Sequence, residues 1–238
     1  MISFLDPIHQ DPAYHQFVDV RSWLGIPNAW NVLSNLPFVI VGLVALQWLA
    51  HQRVPHRKMW IVFFFGIILT GFGSAYYHWN PTNDTLVWDR LPMTISFMAF
   101  FSALVAERVS NRVGNWLFVP LLAIGISSVD YWHVTDDLRL YVLVQFGPLL
   151  LIPVILATRP AKYLRTCDVV IVLGWYVAAK VLEQADAWVY SWGGVVSGHA
   201  LKHFAAAAAG AWVLRALVRG RVGRESRENS RMSVPLVD

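Results

Sequence analysis

The residues of this 238-residue chain best suited to chemistry are three histidines, a serine and an aspartate. In the run SGHALKHF, His199 and His203 are four apart, so on a helix they stack on one face. That is the spacing by which one helix offers two imidazoles to one metal ion. A third imidazole, His78, closes the run GFGSAYYH, with Ser74 four residues before it and Asp89 eleven after it. Three imidazoles fill three corners of a tetrahedral zinc site and leave the fourth for water, whose pKa zinc lowers to about 7. Asp89 then suits a carboxylate that takes the proton from that water and hands it to a leaving group. Ser74 suits a hydroxyl that donates to an oxyanion. The implied chemistry is hydrolysis of an amide or ester.

Each residue also has a plainer reading. Alone, His78 is a packed interfacial histidine, and the HxxxH at matching depth is what raises it to a ligand. Ser74 belongs to a small-residue patch, Gly71, Gly73, Ser74 and Ala75, that lets helices approach. Asp89 fits a helix cap, and Asp84 fits the start of a turn. Lys180 and Glu183, three apart, read as a pair, with Glu183 and Asp186 able to line a cavity. The Ala205–Ala209 run reads as a packing surface. Asp19, Asn28 and Asn31 read either as oxygen donors to a cation or as caps and water ligands.

The elements that must position these residues are membrane helices. Apolar residues make up 56% of the chain and charged residues 14%, and mean hydropathy is +0.47. The apolar residues come in runs of roughly 20, matching the ~30 Å core of a bilayer. The reading is an all-α integral membrane bundle of seven spans, near Trp30–Ala50, Met59–His78, Leu91 to just before Glu107, Asn115–Val129, Leu140–Thr158, Asp168–Trp188 and Ser197–Leu217. Asn31, Ser34 and Asn35 in the first span must then face other helices. Pro92 sits near the start of the third, where its missing N–H costs least. Residues 1–29 form an arm rich in Asp, His and Pro without the basic and apolar regions of a signal peptide. The charged residues 220–238 have the composition of a disordered tail.

Charge sets the orientation. Fourteen Lys and Arg fall in loops 1–2, 3–4 and 5–6 and at the C-terminal end, against Arg21, Arg90 and Arg139 on the other side. The positive-inside rule puts the N-terminus out and the C-terminus in the cytoplasm. His78, Asp89, His199 and His203 then meet the outer face. The net charge of +4 comes from these loop and tail residues rather than from a basic face interleaved with aromatics, so nucleic acid is not a partner. Cys167 is the lone cysteine, so a metal must be held through nitrogen or oxygen.

The motifs GxGSxxxH, Asp89-Arg90-Leu91-Pro92-Met93 and a final-span HxxxH, with WNVLSN (Trp30 to Asn35) entering span 1, resemble the alkaline ceramidase family. That family belongs to a superfamily of seven-span hydrolases that also includes the adiponectin-type receptors. The resemblance runs from about residue 19 to 215. It implies a zinc amidase acting on ceramide-like lipids, with His78, His199 and His203 as ligands, Ser74 aiding the oxyanion and Asp89 as acid/base. It also implies Ca2+ held by acidic residues of the arm, where Asp19 is the equivalent but Asn28 stands in place of an acid and no DWxExN run is present.

The sequence thus reads as a bacterial inner-membrane zinc hydrolase of an N-acyl lipid that enters sideways between spans. Two rivals use the same residues. One is a receptor-like or structural protein in which zinc ties span 2 to span 7. The other is a transporter or proton channel, against which the polar residues gather at one face instead of crossing the membrane.

Overall fold

The computed structural model describes residues 6–232, with side chains to residue 223. Nine α-helices follow one another among these residues: α1 (Ala29–Leu33), α2 (Leu36–Ala50), α3 (Arg57–Trp79), α4 (Asn83–Arg108), α5 (Asn111–Thr135), α6 (Arg139–Thr158), α7 (Thr166–Gln184), α8 (Asp186–Ser191) and α9 (Gly198–Met232). The segment read as a tail therefore starts within α9, and its last residues, 233–238, lie outside the described part.

Among the described residues, six stretches are long and apolar enough to cross a membrane: 29–50, α3, α4, α5, α6 and 198–223. Helix α7 has comparable length but carries Asp168, Lys180 and Glu183 in its 19 residues. Large apolar side chains are exposed on the outer faces of the bundle, such as Leu43, Phe72, Val119 and Leu150. In water such surface would be a liability, and in lipid it is the ordinary outside of a span.

Several boundaries differ from the sequence reading. The first span is two helices, broken at Ser34 and Asn35 with Pro37 opening α2. Asn31, Ser34 and Asn35 are all buried at that break, facing other helices as expected. Helix α4 begins eight residues before the expected Leu91. A capping box starts it: Thr82 Oγ1 accepts from Thr85 N–H, and Thr85 Oγ1 accepts from Thr82 N–H. Asp89 is accordingly an interior residue of α4 and not its cap, and Pro92 lies well inside the helix instead of in its first turn. The expected span 168–188 breaks at Ala185 between α7 and α8.

Helix α4 is the centre of the bundle, packed by α3, α5 and α6, while α9 packs on α7 and α2. Trp60, Phe63, Phe64 and Phe100 fill the space between α3 and α4. At the basic end, the buried Glu107 accepts three backbone N–H groups, from Lys162 (3.0 Å), Tyr163 (2.7 Å) and Leu164 (3.1 Å). Arg108 beside it donates to Leu164 O at 2.7 Å and to Thr166 Oγ1 at 3.2 Å, so the α6–α7 link is clamped onto the end of α4. Helices α6 and α7 themselves scarcely pack.

At the opposite end the arm crosses the bundle as a strap. Leu138 N–H donates to Ile8 O (2.8 Å), His15 bonds Tyr77 and Asn83, Val18 N–H reaches Asp186 (3.4 Å), and Arg21 donates to Val195 O (2.6 Å).

Candidate metal site

Two close helix approaches build the site. A Cβ on Gly73 would run into the Trp88 carbonyl, so glycine there lets α3 lie directly against α4 and sets Ser74 beside Asp89. A Cβ on Gly198 would strike the Leu182 carbonyl and the Asp186 backbone, so glycine again lets the first turn of α9 press on the α7–α8 corner. That turn is capped twice. Ser197 Oγ accepts from Ala200 N–H at 3.1 Å, and Asp186 Oδ1 accepts from His199 N–H at 2.7 Å. The HxxxH is thereby fixed in the opening turn of α9, facing the end of α3.

The three histidines come together. His78, His199 and His203 are buried, and one ring nitrogen from each lies within 4.8 Å of the others. His78 Nε2 and His199 Nε2 are 3.3 Å apart. A tetrahedral ion with nitrogens at ~2.0–2.1 Å separates its ligand atoms by about 3.3–3.4 Å, the separation of the His78–His199 pair, and three imidazoles are a donor set compatible with zinc. Ser34 Oγ is 2.7 Å from His203 Nδ1, which holds that ring and turns its Nε2 inward. Phe17 of the arm lies with its ring centroid 4.7 Å from those of both His78 and His199, covering the two rings.

His203 also lines a cavity of about 340 Å³ whose walls include Ser74 and Asp89. Ser74 lies near enough to the Asp89 carboxylate to favour its charge. The rest of the wall is largely apolar, with Phe63, Ile67, Phe97, Phe100, Ile152 and Val172 among it. All five residues singled out from sequence are therefore buried at one end of the bundle, and three of them share one cavity wall. Tyr14 of the arm meets the cavity too, and burial, with the Glu183 carboxylate close by, pushes its phenol well above the ordinary range and keeps it a neutral donor.

Of the weaker sequence candidates, Lys180 does pair with Glu183 (2.7 Å), and Lys202 joins from the other side (2.6 Å). Asp84 is exposed in the first turn of α4 and bonds His133 at 2.9 Å. Ala205 and Ala207 are packed in the interior, while Ala206 and Ala209 border the cavity.

Among the described residues of the arm, Asp19, the acid expected to meet calcium, is already paired. Both Asp19 carboxylate oxygens are taken by the Arg21 guanidinium, at 2.8 and 2.7 Å, and Asn28 is committed through Nδ2 to the His78 carbonyl at 2.9 Å. The positive charge beside Asp19 is thus supplied by the chain itself.

Sequence reasoning missed Ser34, Phe17 and Arg90 as neighbours of the site. Ser34 carried a signal, a polar residue within WNVLSN at a span start. Arg90 carried another, a charge beside Asp89 within the Asp89–Met93 motif. Phe17 carried none, since an aromatic in an arm has many uses.

No individually curated protein matches the chain. A family model described as ceramidase matches residues 25–234, a range that includes the WNVLSN entry, the α3–α4 corner and the HxxxH of α9. With the match running through all nine helices, the chain belongs to the ceramidase family.

Proposed function

We propose that this protein is a zinc-dependent membrane amidohydrolase that cleaves the amide bond of ceramide-like or other N-acyl lipids, with His78, His199 and His203 holding the ion. The observation that carries the proposal is the junction of a buried three-imidazole cluster with an apolar cavity at His203, Ser74 and Asp89. The family's name points to the same bond. When bound, zinc supplies a polarised carbonyl and a water acidic enough to ionise near neutral pH.

The chain's own residues supply the rest. Asp89 takes the proton of the attacking water and returns it to the leaving amine, which would otherwise depart as a poor anion. Ser74 donates its hydroxyl proton toward the oxygen on which charge develops. Ser34 keeps His203 in the tautomer whose Nε2 is a free lone pair. The apolar wall takes the acyl chain, at about 0.8 kcal/mol per buried methylene. Phe17 excludes bulk water from the histidines.

In this reading α7 is the sixth of seven spans. It exposes Val170, Val177 and Val181, an apolar face for lipid, while Asp168 is buried against Trp212 and Arg219 of α9. The arm and metal site face out, and the basic ends of α2, α4, α6 and α9 lie in the cytoplasm. The lipid reaches the cavity sideways, through the seam where α6 and α7 scarcely pack and Gln145 Nε2 bridges to the Tyr176 hydroxyl at 2.9 Å.

The test is to purify the protein in mild detergent, measure bound metal, and follow fatty acid release from a panel of ceramides and N-acyl lipids. Zinc near one per chain with release from at least one lipid is the expected result. Stoichiometric zinc with no product from any lipid sinks the hydrolase, and absence of zinc sinks the three-histidine site.

A further inference from the structure

The polar end of the cavity holds more positive charge than a neutral ceramide head group needs. Arg90, Lys180 and Lys202 line it against only Asp89 and Glu183. One carboxylate, Glu183, is shared by both lysines, at 2.7 and 2.6 Å. Arg90 forms no salt bridge among the described residues. Its guanidinium carbon lies 4.1 Å from the Trp132 ring centroid, 4.8 Å from that of Tyr141 and 5.5 Å from that of Tyr14, so aromatic surface crowds it and leaves its edges for hydrogen bonds. One edge is used, where Nη2 donates to Gln10 Oε1 at 2.6 Å. The other terminal nitrogen, Nη1, is buried without a partner among the described residues, although Arg90 as a whole is 5% exposed. A buried guanidinium N–H left unmade is costly, more so than a neutral donor.

We infer that the polar end of this cavity is an anion subsite, in which Arg90, assisted by the Lys180–Glu183–Lys202 cluster, receives a carboxylate or phosphate carried on the amine side of the scissile amide. This rests on the hydrolase reading and narrows its substrate from N-acyl lipids in general to anionic ones. The guanidinium edge matches the two coplanar oxygens of a carboxylate, or two oxygens of a phosphate, and an anion there supplies what Nη1 lacks. The three cations against the carboxylates of Asp89 and Glu183 leave one excess positive charge, which a single anion on the lipid balances. The apolar wall then lies on the acyl side and the cationic end on the head side, so the lipid binds in one direction.

The experiment uses the zinc-loaded full chain in nonionic detergent. Affinity is read by competition with a fluorescent fatty-acyl probe, and fatty acid release is followed in parallel. N-palmitoylglycine is compared with its methyl ester, and ceramide 1-phosphate with ceramide, which separates carboxylate from phosphate. The expected result is that at least one anionic lipid outbinds its neutral partner by about tenfold or more, and that Arg90→Gln collapses this ratio toward one while Arg90→Lys keeps part of it. Gln10→Ala removes the other bond of Arg90 and leaves the ratio in place, which separates an anion role from a role in fastening the arm. Equal affinities within both pairs, or a preference that survives Arg90→Gln, overturns the subsite. So does an Arg90→Gln loss confined to free palmitate, because the anion received would then be the acyl product. Should Arg90→Gln fail to fold, Lys202→Met is substituted, and an unchanged ratio there overturns the shared cationic cluster. Turnover of neutral ceramide without anionic preference leaves the hydrolase standing and removes this inference, whereas anionic preference in binding without turnover of any lipid does the reverse.

Discussion

Ser34 Oγ stands 2.7 Å from Nδ1 of His203, joining the break between α1 and α2 to the opening of α9 across 169 residues of chain. A histidine that ligates a metal through one ring nitrogen is oriented through the other, and loss of that partner typically costs 10–100-fold in metal affinity. Ser34→Ala is therefore expected to weaken zinc binding by roughly that factor, read by competition with a chromogenic chelator. Ser34→Thr keeps the hydroxyl and should restore most of it. Unaltered affinity in the alanine variant would show that the bond does not orient His203.

Asp89→Asn separates a hydrolase from a metal-tied structural protein. The amide nearly preserves shape and can still meet Ser74, but it cannot take a proton. A loss in kcat of about 10²–10⁴-fold is expected, with zinc content and thermal midpoint close to the parent. Retention of full turnover would remove Asp89 from the chemistry.

Removing the metal should loosen the histidine end of the bundle, because the ion would join α3 to α9 and stabilise only the folded state. At a free zinc concentration of 1,000 times Kd, such linkage stabilises by ~4 kcal/mol. Chelation should lower the thermal midpoint, and added zinc should restore it. His78→Ala should show the low midpoint from the outset and no response to zinc.

Phe17→Ala uncovers two of the three imidazoles. The ring is 9% exposed and lies against His78 and His199, so its loss opens a path for water and chelator. The rate at which a chelator strips zinc should rise, while equilibrium affinity changes less, since no ligand has been removed. Stripping at the parent rate would mean that the arm does not cover the site in solution.

At the far end of the bundle, Glu107→Ala should destabilise without touching the site. It strips three backbone N–H groups of their acceptor and leaves the Arg108 guanidinium, which is 0% exposed, without its partner. Breaking one side of a buried pair costs about 3–5 kcal/mol. A lowered thermal midpoint with unchanged zinc affinity is the expected signature.

The parts of this architecture that follow a short repeat could be read directly from the chain. HxxxH puts two rings on one face whatever the helix packs against, and apolar runs mark membrane helices without reference to their neighbours. Ser74 and Asp89 followed because they flank His78 in sequence. What escaped reading depends on docking. Ser34 meets His203 only after α9 lies against α1, and Phe17 covers the histidines only after the arm folds back. The early start of α4 turns on Thr82 and Thr85, a threonine pair where the usual capping box has a glutamate or glutamine. The break at Ala185 separates Asp186 from α7, and its purpose appears only when Asp186 is seen holding the His199 N–H.

The strap formed by the arm also has a temporal side. Its anchors at Asp186 and Val195 are among the last parts of the bundle to be synthesised, although the arm itself is made first. Contacts of such long sequence separation form late, because the intervening chain must be ordered before they are worth their loop-closure entropy. The arm must therefore wait while the later helices fold, and seal the histidines only when α9 has arrived. A protease that cuts near Phe17 should clip a chain arrested before α9 and spare the finished protein, which makes closure of the arm a marker of completed assembly.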